Sequence, residues 1–366
     1  MEIREISYYR QFQCYASACE QTCCRGWIIP LEEEDIGRFR KEKGLLRLKL
    51  LLATRLGTRH SFNASSATCP FQDEKKLCSL QLLKGHDFIP EAFREYPRFY
   101  RNYGLWEERM IDLSCIAGAK LWFDHHRDLS WNVSDGAPVC GKDSTNDDED
   151  YLRALDRIRQ EYIRLLLSVE TAEDLIRTLC TIDSHAQSLQ DFCLHAGTCK
   201  SVPRITEVRE STPGIFPFGA STFCNIMKTH LFGERLAVAN PALYALCRLY
   251  FDMGATAFTR KWPDLAGDFL IRHERYASYY ASLFAHYLGQ HFLRCYEDYS
   301  FLRNIRMGLI HLNMKFFFDV LFKNAKGTFT DADFVRNIAV YNRRGYFNMQ
   351  IQEEMYGVVS AALTGS

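Results

Sequence analysis

Six of the fourteen cysteines fall within the first 78 residues, and four of these six lie within eleven positions. Thiolates bind soft and borderline metal ions, and a metal site needs several ligands that converge on one point, which a loop-rich segment permits. The sequence therefore predicts a metal site in this region. Its candidate ligands are Cys14, Cys19, Cys23, Cys24, Cys69 and Cys78.

The spacing of these cysteines bears on which metal they would hold. Structural zinc sites usually present Cys-x2-Cys knuckles that aim two sulfur atoms at one tetrahedral ion, and this chain contains no Cys-x2-Cys. The ligand spacings of iron-sulfur clusters are looser. We therefore expect an iron-sulfur cluster of the 4Fe-4S type, with zinc as the alternative. Without a metal, the cysteines would be small buried apolar residues.

A second group of possible ligands lies further along the chain. Cys193-x-His195-x3-Cys199 offers three metal ligands and is otherwise a chance cluster. His125 and His126 stand beside charged residues, which indicates a surface position rather than catalysis.

Familiar nucleotide and hydrolase motifs are absent from the sequence. There is no Gly-x-Gly, so the glycine-rich turn that approaches a dinucleotide or S-adenosylmethionine in a Rossmann fold is missing. The Cys-x3-Cys-x2-Cys signature of radical S-adenosylmethionine enzymes also fails, because Cys19 and Cys23 fit its first interval but Gly26 occupies the third position. Any metal bound by these cysteines would therefore need a ligand pattern other than the radical S-adenosylmethionine signature.

The elements that would position the cysteines divide the chain into three parts. Residues 1–135 contain short segments and many turn signals, and we expect an irregular, cysteine-rich, metal-binding region. Residues 136–150 are poor in large apolar side chains, end in an acidic run and look like a linker. Residues 151–366 show helical periodicity and predict an all-helical domain, with loops between about 200 and 235. The predicted fold class is mainly α.

Two patterns support this division. Leu152, Leu155, Ile158, Tyr162 and Leu165 recur at three- and four-residue intervals, as on one face of an amphipathic helix. An earlier helix is expected to start near residue 31, where a proline precedes four acidic residues. Residues 38–55 then hold seven basic residues and one acid, which indicates either a solvated helix face or a dock for an acidic partner or carboxylate-bearing cofactor.

Composition limits the function classes. The 366 residues are 47% hydrophobic, which suffices for a substantial core, and Lys plus Arg and Asp plus Glu each number 45. A nucleic-acid binder usually has a basic excess, so we expect no nucleic-acid partner. We expect no membrane partner, because apolar runs stay below about 18 residues. The charged start of the chain lacks the apolar stretch of a signal peptide, which predicts a cytoplasmic protein with reduced thiols.

Several motifs in the first 120 residues resemble those of the flagellin lysine-N-methylase family. The most specific is a double cysteine followed by Arg-Gly-Trp. The motifs are Phe12-Gln13-Cys14, Ala18-Cys19-Glu20, Cys23-Cys24-Arg25-Gly26-Trp27, Cys69-Pro70-Phe71, Leu77-Cys78, Tyr96-Pro97-Arg98 and Leu113-Ser114-Cys115. The family's usual cysteine before Tyr-Pro-Arg is Phe93 here, its Ser-Cys-Pro-Glu continues as Ile116-Ala117, and Tyr341-Asn342 replaces an expected acidic-histidine pair. The chain thus resembles a divergent member.

The resemblance implies a bacterial cytoplasmic enzyme that methylates lysine side chains of flagellin or a similar protein. It also implies S-adenosylmethionine as the methyl donor and an iron-sulfur cluster held by the N-terminal cysteines, without identifying the true ligands or the catalytic residues. An inactive paralogue with the same fold is the alternative within the family. Outside it, the alternative is a non-catalytic, zinc-stabilised helical adaptor or chaperone that binds a partner protein.

Lysine methylation needs a neutral amine, although a free lysine has a pKa near 10.4. The site must desolvate the ammonium or supply a base, and tyrosines and carboxylates are suited to gripping an alkylammonium. Tyr276, Tyr279, Tyr280 and Tyr287 lie near Glu274 in one helical pattern. This segment either packs in the core or contributes to a methyl-transfer pocket.

Overall fold

The computed structural model describes residues 1–21, 23–24, 30–55, 60–62, 69–143, 145–196, 205, 214–229, 236–237, 240–345 and 349–364. Its architecture is mainly α, as the sequence predicts. The shorter N-terminal helices are α1 (Glu33–Lys41), α2 (Gly44–Ala53), α3 (Ser79–Lys84), α4 (Glu91–Glu95) and α5 (Ile116–Asp124).

Most of the later helices are longer, and together they carry most of the core. They are α6 (Glu149–Leu167), α7 (Ala172–Ala196), α8 (Ala220–Lys228), α9 (Pro241–Met253), α10 (Ala255–Arg272), α11 (Tyr276–His291), α12 (Cys295–Asp298), α13 (Phe301–Lys326), α14 (Asp331–Gly345) and α15 (Met349–Thr364). Helix α8 lies where loops were expected, so that expectation is wrong for residues 220–228. No described helix has both the length and the apolar character needed to cross a bilayer.

The N-terminal region contains a sheet that the sequence did not predict. Its strands are β1 (Glu2–Ile6), β5 (Arg98–Asn102), β6 (Trp106–Ile111) and β7 (Trp131–Asp135), in the order β5-β6-β1-β7. Strand β1 runs parallel to β6 and antiparallel to β7. The expectation of an irregular region is therefore wrong here.

Buried charges explain why this sheet has no apolar signature. A half-buried strand is recognised in a sequence by alternating apolar residues. In β6, however, the charged residues Glu107 and Glu108 occupy buried positions. Arg109 pairs with Glu107, and Arg159 of α6 pairs with Glu108. Charged side chains satisfy each other inside the sheet and hide its periodicity.

A smaller hydrophobic core forms around a second sheet. Strands β2 (Pro30–Leu31), β3 (Thr54–Arg55) and β4 (His60–Phe62) pair antiparallel in the order β2-β4-β3. Helices α1 and α2 bury Ile36, Phe39 and Leu50 in this core. We call the described residues of 30–95 the small lobe.

Helix α1 begins close to its predicted start. Pro30 lies in β2, and the helix begins three residues later, at Glu33, with Glu32 as its N-cap. Glu32 and Asp35 form a reciprocal capping box, and acidic residues fill the first turn, which favours the positive end of the helix dipole. The basic stretch 38–55 is thereby split between the end of α1 and α2.

The large core joins the sheet to the helical region. Helix α13 is buried along most of its length and packs against α7, α9, α11 and α14. Helix α6 buries Leu152, Leu155, Ile158 and Tyr162 as predicted, whereas Leu166 rather than Leu165 completes its buried face.

Residues of the predicted linker contact the sheet and the helical region. Glu107 Oε2 accepts hydrogen bonds from the backbone N–H groups of Val139 at 2.7 Å and Cys140 at 3.1 Å. The side chain of Asn146 donates to the carbonyl of Tyr296 at 2.8 Å. The segment is thus held by hydrogen bonds at both ends.

Candidate functional site

The N-terminal cysteines come from separate turns that meet at the side of the small lobe. Cys14 and Cys19 flank a short 3-10 turn, and the backbone N–H of Ala16 donates to Cys14 Sγ at 3.3 Å. Cys69 belongs to the small core, and its N–H donates to the carbonyl of Cys24 at 2.7 Å. Cys78 is the residue immediately before α3 and packs against the same core.

Cys24 is the centre of the thiol contacts. Its side chain hydrogen-bonds to the thiols of Cys23 and Cys69, and it lies near the Cys78 thiol. On the other side, Cys14 lies within electrostatic range of Cys19 and Cys23. All six predicted cysteines therefore occupy one neighbourhood. We call them the cysteine cluster.

A seventh thiol, Cys115, lies beside the cysteine cluster. It immediately precedes α5, is buried, and is within electrostatic range of Cys14, Cys19 and Cys23. The ligand prediction did not include Cys115, because it is distant in sequence from the other six. Its place in the motif Leu113-Ser114-Cys115 was the signal that pointed to it.

Several of the clustered thiols have raised pKa values. The hydrogen bond to Cys24, followed by burial, raises the pKa of Cys23, and the same two causes act on Cys69. Burial raises the pKa of Cys78, and burial with neighbouring thiols raises that of Cys115 to about 11. These shifts favour the protonated form of the four thiols, whereas a bound metal ion would deprotonate its ligands.

The arrangement is a gathering of thiols rather than a formed ligand set. Among the residues that the structure describes, no group of three or more His, Cys, Asp or Glu side chains has the geometry to hold a metal ion. The donor type nevertheless fits a thiophilic centre, since soft sulfur ligands select iron-sulfur clusters and zinc. The side chains would have to move to bring the ligands together.

Arg343 of α14 connects the helical region to the cysteine cluster. Its Nη2 donates to the carbonyl of Gln21 at 2.6 Å and to that of Ser114 at 3.5 Å. The guanidinium favours the thiolate form of Cys19, which partly opposes the effect of burial on its pKa. A fixed positive charge therefore lies beside the thiols.

A cavity of about 430 Å³ has Asp112, three residues before Cys115, in its wall. Strand β5, the turn after β6, and helices α11, α13 and α15 contribute to its wall. Residues on that wall include Phe99, Arg101, Asp112, Tyr287, His291 and Arg294. Asp112 links the cavity to the cysteines, because Cys115 follows it by three residues. Between them, the Ser114 N–H donates to Asp112 Oδ1 at 2.7 Å.

The cavity combines cations, carboxylates and a neutral imidazole. Burial holds the pKa of His291 well below its usual value, and the charges of Arg294 and Arg101 lower it further. Arg303 pairs with Glu353, whereas Arg294 forms no ion pair with any described residue. The wall could therefore bind a ligand that carries both an anionic and a cationic group.

Aromatic rings complete this wall. The ring of His291 lies 4.9 Å from that of Tyr287 and 5.8 Å from that of Phe99, measured between centroids. A flat heterocycle could stack or pack edge-on against such rings. The cavity thus has apolar as well as charged surface.

The predicted tyrosine helix contributes mainly to the core. Tyr276 and Tyr280 of α11 are buried and donate to Asp331 and Asp319, respectively, each at 2.6 Å. Tyr287 alone of the four lines the cavity, and Glu274 is exposed at the start of the helix.

The remaining predicted positions give no additional site. His126 stacks on Tyr279 with 3.8 Å between ring centroids, and its Nδ1 donates to the Phe123 carbonyl of its own helix end at 3.2 Å. His125 bonds the Leu121 carbonyl of its own helix. The group around residues 193–199 lies outside the described side chains.

Sequence reasoning missed a buried ion pair in α13. Lys315 pairs with Asp319, which also accepts hydrogen bonds from Tyr280 and Asn337. Burial lowers the pKa of Lys315 to about 8, although Asp319 opposes the shift. The i, i+4 spacing of the two charges inside the apolar stretch 314–322 was the available signal.

Part of the chain is similar to curated Salmonella proteins. The lysine-N-methylase of Salmonella typhimurium and the flagellar biosynthetic protein FliU of Salmonella muenchen are each 22% identical to this chain over 121 residues, which is 31% of it. The lysine-N-methylase of Salmonella choleraesuis matches to the same extent. The chain covers 30% of the length of the lysine-N-methylases and 72% of that of FliU.

No protein-family model matches the chain, and no solved structure matches it. The similarity is therefore a distant and partial relationship to proteins of these names.

Proposed function

We propose that the chain is an S-adenosylmethionine-dependent protein-lysine N-methylase whose substrate is flagellin or a similar protein. The observation that carries the proposal is the partial similarity to proteins named lysine-N-methylase. The name of FliU, a flagellar biosynthetic protein, supports a flagellar substrate. The gathering of the cysteines beside a cavity is consistent with this function, since it provides neighbouring positions for a metal centre and a ligand.

In this proposal the cysteine cluster holds an iron-sulfur centre. Four of Cys14, Cys19, Cys23, Cys24, Cys69 and Cys78 would be ligands, with Cys115 as a further candidate. Side chains of the neighbouring cavity, rather than the cluster, would then bind the amino and carboxylate groups of S-adenosylmethionine. This would explain why no glycine-rich nucleotide turn is needed.

We further propose that the donor occupies the cavity. Arg294 could contact a carboxylate, Asp112 an ammonium group, and the rings of Phe99 and Tyr287 the adenine. Burial raises the pKa of Asp112, because its charged form is poorly solvated. A cationic donor group nearby would favour the ionised carboxylate.

Methyl transfer itself needs little covalent chemistry from the protein. The lone pair of the neutral lysine amine forms the new N–C bond while the C–S bond of the sulfonium breaks, and S-adenosylhomocysteine leaves with the electron pair. The released proton passes to solvent. The protein would orient the amine at near-attack distance and exclude water, and the neutral His291 is suited to that role because it does not repel a cationic methyl group.

The test is methyl transfer by anaerobically purified protein, with flagellin as substrate and lysine methylation followed by mass spectrometry. Donor binding is measured separately by calorimetry with S-adenosylhomocysteine. Arg294→Ala should weaken binding by about tenfold, the effect of one lost charge-assisted hydrogen bond. Arg260→Ala, at an exposed position of α10 away from the cavity, should not.

Three results would each overturn a part of this proposal. A protein that retains its metal, binds the donor and still leaves every flagellin lysine unmodified contradicts the enzymatic function. Zinc at about one ion per chain without donor binding favours the non-catalytic adaptor instead. Donor binding that Arg294→Ala leaves unchanged contradicts the cavity assignment alone.

A further inference from the structure

Helix α2 exposes a row of leucines that no described residue covers. The exposed fractions are 85% for Leu45, 54% for Leu48, 50% for Leu51 and 72% for Leu52. The opposite side of the same helix is buried, with Leu50 in the core of the small lobe. Single exposed apolar residues are ordinary on protein surfaces, but a contiguous group usually marks an interaction site.

Helical geometry gathers these four side chains on one face. Each residue turns the helix by about 100°, so Leu45, Leu48 and Leu52, at i, i+3 and i+7, form one stripe and Leu51 widens it. Arg47 and Lys49 each lie about 100° to either side of Leu48. We call this arrangement of four leucines between two cations the leucine face.

The surrounding charge is entirely positive along the sequence. Residues 43–72 contain no aspartate or glutamate, and Lys43 and Arg47 are exposed. Lys43, Arg47 and Lys49 form no ion pair within the described part of the chain. Lys49 instead lies over the ring of Phe71, 5.3 Å from its centroid. The cations are therefore available to an acidic partner.

We infer that the leucine face is a docking site for an acidic amphipathic helix of a partner protein. Apolar residues of that helix would pack on the leucines, and carboxylates at its edges would pair with Arg47 and Lys49. This inference does not depend on methyl transfer, since an adaptor would use the same surface. The face belongs to the lobe that carries Cys69 and Cys78, so a partner docked here is held near the cysteine cluster.

Other occupants fit the charges less well. A second copy of this chain would bring the same cations against each other, which costs energy at close range. An anionic membrane would attract the leucine face but repel Glu33 and Glu34, which are exposed on the same lobe.

The experiment measures fluorescence anisotropy of a labelled synthetic helix added to the full chain. The probe has roughly 18 residues, or five turns, with leucine at i, i+3, i+4 and i+7 and glutamate at most other positions. A matched peptide carries lysine in place of glutamate. Vesicles that contain phosphatidylserine form the third arm.

Two variants test the two halves of the surface. Leu48→Ser with Leu52→Ser should weaken binding of the acidic peptide by about tenfold or more. Arg47→Glu with Lys49→Glu should reverse the preference between acidic and basic peptides. Ile271→Ser is the control, since Ile271 is 80% exposed on α10, outside the small lobe. Because all replaced side chains are exposed, unchanged circular dichroism and thermal unfolding are expected for each variant.

Several outcomes would overturn the inference. Absence of binding to the acidic peptide at millimolar concentration does so, as does equal binding by the wild-type protein and the leucine variant. Binding to vesicles without binding to peptide would assign the leucine face to a membrane surface. Concentration-dependent dimerisation that the leucine variant abolishes would assign it to a second copy.

Discussion

Arg159 should be one of the most sensitive positions for stability. It is 0% exposed, and its guanidinium donates to both carboxylate oxygens of Glu108, at 2.7 and 2.5 Å. It also donates to Asp156 at 2.6 Å and to the carbonyl of Gly289 at 3.1 Å. One side chain thus joins β6, α6 and α11. Of these elements, α11 also contributes residues to the wall of the candidate cavity.

Arg159→Met keeps much of the volume and removes every one of these bonds. Glu108, which is 2% exposed, would keep only the hydrogen bond from the Trp106 indole at 2.8 Å and the distant Arg4 at 4.0 Å. Removing one partner of a buried pair costs about 3–5 kcal/mol, because the other charge stays buried without compensation. We expect the free energy of unfolding to fall by that amount.

Urea unfolding followed by circular dichroism measures this loss. The double variant Arg159→Met with Glu108→Gln should be more stable than the single variant, since no charge is then left buried. Arg164→Ala is the matched control: it removes an arginine from the exposed side of α6 and should leave the midpoint unchanged. A loss below about 1 kcal/mol in Arg159→Met would show that Glu108 does not depend on Arg159 for compensation of its buried charge.

Two further predictions concern the helical core. Gly308→Ala should destabilise the protein by about 1–3 kcal/mol, because the new Cβ would lie 2.5 Å from the Tyr287 ring, whereas Gly267→Ala, with nothing within 4 Å, should be neutral or stabilising; equal thermal shifts would contradict this. Burial lowers the pKa of His286 and of His311 to about 3, so between pH 7 and 5 only the unfolded chain gains these protons. Each histidine should therefore reduce the free energy of unfolding by about 2 kcal/mol between pH 7 and pH 5. In urea titrations at the two pH values, His311→Gln should make this decrease smaller by about 2 kcal/mol. An unchanged pH dependence in the variant would count against a neutral buried imidazole at position 311.

Helices were predictable where their periodicity was plain. The buried face of α6 follows the stripe read from the sequence, because its other side is solvated and the pattern is not interrupted. The sheet was missed because Glu107 and Glu108 are buried by pairing, and an alternation of charges does not read as a half-buried strand. Helix α13 is buried nearly all round, so it shows little amphipathic signal.

The candidate site was predictable only in part. Clustering along the chain identified six cysteines, and local turns bring four of them together. Cys115 and Arg343 join them through tertiary packing, which no spacing rule could have revealed. The cavity takes residues from β5, α11, α13 and α15, so it is a property of the fold rather than of any motif.

The metal content of protein purified without oxygen shows most directly whether the cysteine cluster holds an iron-sulfur centre. We predict a brown protein with about four iron atoms and a similar amount of acid-labile sulfide per chain. Cys24→Ser should lose most of this iron, whereas Cys247→Ser, a buried cysteine of α9 outside the cluster, should keep it. A colourless wild-type protein without iron or zinc, or equal metal content in the two variants, would contradict a metal centre held by the cysteine cluster.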